Sequence, residues 1–172
     1  MNKNKPVIGL DLSLTSTGIA TPKEQHIITT KLKEVPRLVY IRNEIMETIA
    51  SVPGEPLVVL EGYSFAQRNS HSHSLGELGG VVKVALSEAG LAWAIVPPTV
   101  RAKFATGKGN ASKSAVVSAV SARTGIVWDG VGADDKCDAW ILQEMGLTYL
   151  GRAREDWPKV NLSSLESVDW PD

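Results

Sequence analysis

Apolar residues in the first part of the chain fall into short, uninterrupted runs. Pro6-Val-Ile-Gly-Leu-Asp11 reads as a buried strand, apolar until a carboxylate closes it. Gly18-Ile-Ala20 and His26-Ile-Ile-Thr-Thr30 read as its partners in an antiparallel meander, with Pro22-Lys-Glu24 supplying the turn. The period then changes. Pro36 opens a helical pattern in which Leu38, Ile41, Ile45 and Ile49 recur on one face, and Pro53-Gly54 stops it. Leu57-Val-Val-Leu60 is a short apolar run ending in Glu61, as expected of a central strand.

Residues 63–74 are polar and rich in Ser, Asn and His, which predicts a mobile loop. Leu75, Leu78, Val82 and Leu86 then predict a helix over 75–89, with Gly76, Gly79 and Gly80 permitting close packing. Leu91-Ala-Trp-Ala-Ile-Val96 is a further strand ended by Pro97-Pro98, and residues 98–105 read as a short helix. Asn110 is placed to cap a helix running to the vicinity of Arg123. Asp134 or its neighbour is expected to cap the last helix, which reaches the vicinity of Met145. From Gly151 the periodicity fades and two prolines appear, so this tail is expected at the surface or disordered. A meander followed by α/β crossovers implies an α/β fold: a mixed five-stranded sheet with helices on both faces. The expected organisation is one domain over residues 1–150 and an acidic C-terminal tail over 151–172.

Composition agrees with one compact domain. The chain has 172 residues, 43% hydrophobic and 22% charged, which excludes a disordered chain. No apolar run approaches the ~20 residues of a membrane span. The start runs straight into a strand without a secretory apolar region, and the single Cys137 excludes an intramolecular disulfide and a zinc cluster. A cytoplasmic protein is expected. The net charge of −1 conceals an asymmetry. Between residues 89 and 128 there is no acid, while Arg101, Lys103, Lys108, Lys113 and Arg123 all fall there. Beyond residue 154, Glu155, Asp156, Glu166, Asp169 and Asp172 face Lys159 alone. The basic stretch can therefore meet phosphates while acids elsewhere cancel it in the total.

The candidate chemistry lies in the acids. Asp11 and Glu61 each close an apolar strand, where a carboxylate is costly unless it is paired or coordinates a cation. Asp135 and Asp138 are three apart, on one face of a helix, with Asp134 adjacent. Acids from a first strand, a middle strand and a late helix can converge at one sheet end, and without a cation they would repel. Hard divalent ions prefer such oxygen donors. Taken singly, each acid reads as easily as a cap or a solvated side chain.

Together these segments resemble the RuvC family of Holliday junction resolvases, over roughly residues 6–147. Ile8-Gly9-Leu10-Asp11 followed by Thr15-Ser-Thr17-Gly18 is similar to the family's opening strand and hairpin, and Arg37-Leu38 with Ile41 to its first-helix signature. Val58-Val-Leu-Glu61 resembles the second acidic motif, and Leu75-Gly76-Glu77 with Gly80 the helix behind it. Pro98, Val100-Arg101, Gly107, Gly109, Ala111 and Lys113 resemble the basic segment, and Asp135-Lys-Cys-Asp138-Ala139 the closing Asp-x-x-Asp-Ala. The resemblance implies the RNase H-like fold and a homodimeric, metal-dependent nuclease of branched DNA, acting on four-way junctions. It implies Asp11, Glu61, Asp135 and Asp138 as ligands of Mg²⁺ or Mn²⁺, two ions per site. It further implies Lys113 beside the scissile phosphate, Arg101 as a basic DNA contact, and Tyr63 or Phe65 stacking on junction bases. Lys103 and Lys108 join the expected DNA contacts. Leu12-Ser13 stands where the family commonly has Pro-Gly, and the spacing from Glu61 to Phe65 is one residue longer than in many members. Asp134 beside Asp135 leaves the register of the third ligand open.

Other readings compete. A flap- or fork-selective nuclease would use the same site. An ATP-binding protein of the actin-like fold shares the core, and the segment from Asp11 to Gly18 is like its first phosphate hairpin, but such proteins need two domains. A non-catalytic DNA-binding relative would have no need of all four acids. His71 and His73 read as filler in a polar loop, Cys137 and Trp93 as core. Trp128 and Trp140 read as core or interface, and Trp157 and Trp170 as docking on the domain or on a partner.

Overall fold

The computed structural model describes residues 3–62 and 70–172, with the side chains of 70–75 excepted. Strands β1 (Val7–Asp11), β2 (Thr17–Ala20) and β3 (Gln25–Ile28) lead into α1 (Glu34–Ala50), β4 (Leu57–Glu61), α2 (Ser70–Glu88) and β5 (Trp93–Val96). Helices α3 (Pro98–Thr106), α4 (Lys113–Thr124), α5 (Ala133–Tyr149) and α6 (Lys159–Leu162) follow, and a 3-10 turn occupies Ser163–Ser167. The five strands form one sheet in the order β3-β2-β1-β4-β5, antiparallel across β1–β2 and β2–β3 and parallel across β1–β4 and β4–β5. This is the expected mixed sheet.

Alternation along the strands divides the core in two. Ile8, Leu10, Val58 and Leu60 point to one face and pack with Leu38, Ile41 and Ile45 of α1 and Leu78, Val82 and Leu86 of α2. Val7, Leu57, Val59, Ala94 and Val96 point to the other and pack with α3, α4 and α5 through Phe104, Val116, Val120, Ile141 and Met145. Helices therefore cover both faces.

The second face brings α5 unusually near the sheet. A Cβ on Gly9 would stand 2.0 Å from the carbonyl oxygen of Ala139, and one on Gly18 would stand 2.2 Å from that of Asp135. Only glycine leaves room for that approach, so two strand positions fix the height of the helix that carries the later acids.

Several local expectations are corrected. Helix α2 begins at Ser70, so the end of the expected 63–74 loop is helical, and β5 begins at Trp93 rather than at Leu91. The cap of α4 is Ser112, whose side chain accepts from the amide of Ala115 at 3.3 Å; Asn110 lies in the preceding loop. Gly132, in the left-handed region at φ 69°, stands at the N-cap of α5 and leaves Asp134 and Asp135 inside the first turn, and the helix runs past Met145 to Tyr149. A Cβ at Gly76 or Gly80 would meet nothing within 4 Å, so the close packing expected of these glycines is not found within this chain among the described residues.

The tail departs most from expectation. Residues 151–172 are neither loose nor merely superficial: Trp157, Asn161, Ser164 and Val168 are buried. Glu144 of α5, itself fully buried, accepts from the Arg154 amide at 2.8 Å, Arg154 Nε at 2.6 Å and Trp157 Nε1 at 3.1 Å. Trp157 lies against Phe104 with ring centroids 4.4 Å apart, and Trp170 stacks on Tyr149. Both tail tryptophans thus dock on the domain. Among the described residues no helix is long and apolar enough to cross a membrane.

Candidate metal centre

Strand parity puts Asp11 and Glu61 side by side. In the parallel β1–β4 pair Leu10 sits opposite Leu60, so the next residue of each strand, the last one, is an acid directed to the face that α5 covers. The close approach at Gly9 and Gly18 lowers α5 onto that face and brings Asp135 and Asp138, one helical turn apart, over the two strand ends. Asp135 is held from below: the Ser16 hydroxyl donates to its Oδ2 at 2.5 Å. Ser16 was not singled out among the candidates; the only signal was its place in the hairpin directly after the first strand's acid.

The electrostatics record the convergence. Burial and the charges of Glu61, Asp138 and Asp135 hold the Asp11 carboxyl well above the usual range, against the opposing pull of Arg101. Asp138, 3% exposed, is pushed up to about 7, chiefly by burial, with Arg101 opposing and Glu61 adding to the rise. The four acids thus lie within electrostatic reach, Asp11 feeling the charges of the other three.

Arg101 is where the structure departs from the sequence reading. Expected to face DNA, it is buried, and it donates from Nε to Glu61 and from Nη1 to Asp138. It therefore bridges acids of β4 and α5 from the first turn of α3. The signal lay in the chain: α3 starts two residues after Val96, and Val96 sits opposite Glu61 in the β4–β5 pair.

The remaining candidates divide. Lys113, exposed at the start of α4, lies 3.1 Å from Asp134 Oδ2. Its ammonium is stabilised by that contact and by the more distant charges of Asp138 and Asp11, which raises its pKa although partial burial opposes the rise. Lys108 is exposed and Lys103 half-buried, both outside the acidic cluster's bonds. Tyr63 and Phe65 lie outside the described residues, as do the side chains of His71 and His73. Cys137 is buried core, as expected, and so are Trp140 and the partly buried Trp93 and Trp128 packed at the core's edge.

Among the described residues no group of three or more His, Cys, Asp or Glu side chains is already arranged around a metal position. The donor chemistry nevertheless fits a hard divalent ion, since Asp11, Glu61, Asp135 and Asp138 all offer carboxylate oxygens. What closes the geometry is the guanidinium of Arg101, a cation standing among the donors.

The sequence matches no protein-family model and no curated protein. The structure, however, is similar to that of RuvC from Thermus thermophilus, with a TM-score of 0.65 and 21% identity over 88% of this chain and 99% of that one. It is equally similar to T. thermophilus RuvC in complex with a Holliday junction substrate, with a TM-score of 0.64 and 21% identity over 89% of this chain and 100% of that one. At this identity the likeness concerns the fold, which the sheet order and the two-sided helical cover share. The chain has the RNase H-like fold in the form seen in RuvC.

Proposed function

We propose that this protein is a metal-dependent endonuclease that cuts branched DNA, with the four-way junction as its foremost substrate. The observation that carries the reading is the convergence of Asp11, Glu61, Asp135 and Asp138 at one end of a RuvC-like sheet. A solved relative of that fold is in complex with a Holliday junction, which supports the choice of substrate. Asp11, Glu61, Asp135 and Asp138 would hold Mg²⁺ or Mn²⁺, two ions per site. Bound there, such ions supply an activated water and stabilisation of the leaving oxygen.

The chain's own side chains do the rest. Lys113, exposed beside the acids, donates to the phosphate in place of Asp134 and stabilises the negative charge that develops on it. It stands at the first position of a 12-residue helix, where the free amides and the dipole also favour an anion. Lys103 and Lys108 attract the neighbouring backbone, a contribution that weakens with salt. Tyr63 or Phe65 stacks on bases unpaired at the branch. Two copies related by a two-fold axis present two such sites to the two equivalent strands of a junction.

The test sets a four-way junction beside flap, fork and linear duplex DNA, with Mg²⁺ or with EDTA. Symmetric paired nicks in the junction, dependent on the metal, are the expected result. One-sided cuts confined to flaps or forks would replace the junction by those substrates. No metal-dependent cut in any branched DNA would contradict the proposal.

A further inference from the structure

Arg101 is a cation seated among the acids of the cluster. Its guanidinium bonds one acid from the sheet and one from α5, and its side chain is only 9% exposed. The helix behind it is fixed. Phe104, on the same helix, is fully buried against Trp157, and its carbonyl accepts from Asn161 Nδ2 at 2.6 Å. The backbone at Arg101 is therefore anchored, and displacing its guanidinium would be a side-chain movement. The charges of Glu61, Asp138 and Asp11 all act on this guanidinium. The oxygens Arg101 occupies belong to two of the acids that metal binding requires.

We propose that Arg101 is a built-in counter-cation which a divalent ion must displace from Glu61 and Asp138. It holds the acids together before loading and sets the metal concentration at which loading occurs. The inference rests on the reading of these acids as metal ligands. It assigns Arg101 a positioning role inside the cluster rather than contact with DNA. A guanidinium bonded through two nitrogens to separate carboxylates is a strong competitor, because both ions must lose those bonds before an incoming cation takes the oxygens.

Calorimetric titration of Mn²⁺ into the metal-free protein tests it, using wild type, Arg101→Gln, Arg101→Lys and Asp11→Asn. Arg101→Gln is expected to bind Mn²⁺ about tenfold tighter than wild type or better, as removal of a unit positive charge at contact distance requires. Arg101→Lys falls between the two. Metal-free Arg101→Gln melts below wild type, and saturating Mn²⁺ closes the gap. Equal or weaker binding by Arg101→Gln, with binding lost in Asp11→Asn, overturns the counter-cation and leaves the metal site standing. Wild-type binding by Asp11→Asn, or no binding by any variant, removes the metal site and the inference together. Should Arg101→Gln not fold, the wild-type Arg101 Nε–H resonance gives the same answer. It is slow to exchange without metal and loses that protection with saturating Mg²⁺; protection that persists at saturation overturns the proposal.

Discussion

Gly18 and Asp135 touch backbone to backbone, so closely that a Cβ on the glycine would stand 2.2 Å from the Asp135 carbonyl oxygen. The contact determines how near α5 comes to the sheet, and hence whether its two acids reach those on the strands. Gly18→Val is expected to lift the helix and to destabilise the protein by about 3 kcal/mol, at the upper end of what overpacking costs. Gly76→Ala, whose new methyl would meet nothing within 4 Å among the described residues, is the control and is expected to be neutral or stabilising by up to ~1 kcal/mol. Urea denaturation of the two variants separates them; equal stability would mean that α5 does not sit at this height.

Glu144 predicts how firmly the tail belongs to the domain. Its buried carboxylate collects donors from Arg154 and Trp157, and deletion leaves those groups unmatched. Glu144→Ala is expected to cost about 3 kcal/mol, and Trp157→Ala a similar amount through the cavity left beside Phe104. Because the two residues share a hydrogen bond, the double variant should cost less than the sum of the single ones. Thermal melts showing neither loss would mean that residues 151–172 do not pack.

The raised pKa values of Asp11 and Asp138 set a pH dependence. An acid whose folded pKa lies above its unfolded one binds more protons when folded, so stability falls as pH rises through the interval between the two values. For Asp138 that interval runs from the ordinary aspartate value of 3.8 to about 7. The metal-free protein is thus expected to lose stability steadily from weakly acidic to neutral pH, and Asp138→Asn to lose less across that range. Denaturation in EDTA across the range measures both slopes; identical slopes would contradict the assignment.

Cys137 follows α5's buried side, and its thiol is pushed up to about 12, chiefly by burial, with the Asp138 charge adding. It is expected to resist thiol reagents at neutral pH in the folded protein and to react fully in denaturant. Rapid labelling of the native protein would place it at the surface.

The acids were legible because each obeys a local rule. Asp11 and Glu61 end apolar strands of known period, and Asp135 and Asp138 share a helical face by spacing alone. Arg101 obeys no local rule: its partners lie 40 and 37 residues away, and its neighbours in sequence form a basic stretch that reads as a DNA surface. The tail misled for a related reason. Its α6 helix has four residues, too few to display a period, and its attachment depends on Glu144, a buried acid whose partners become neighbours only after folding. The expected cap Asn110 gives way to Ser112 because it is the Ser112 oxygen that reaches the Ala115 amide, although both residue types suit the position.

Cleavage of a four-way junction by Asp11→Asn, read beside its binding to the same DNA, tests the nuclease assignment most directly. The substitution keeps the shape of the side chain and removes one charge from the carboxylate cluster. Binding close to wild type with cutting slowed at least ~100-fold in Mg²⁺ is the predicted outcome. Cutting at the wild-type rate would contradict it.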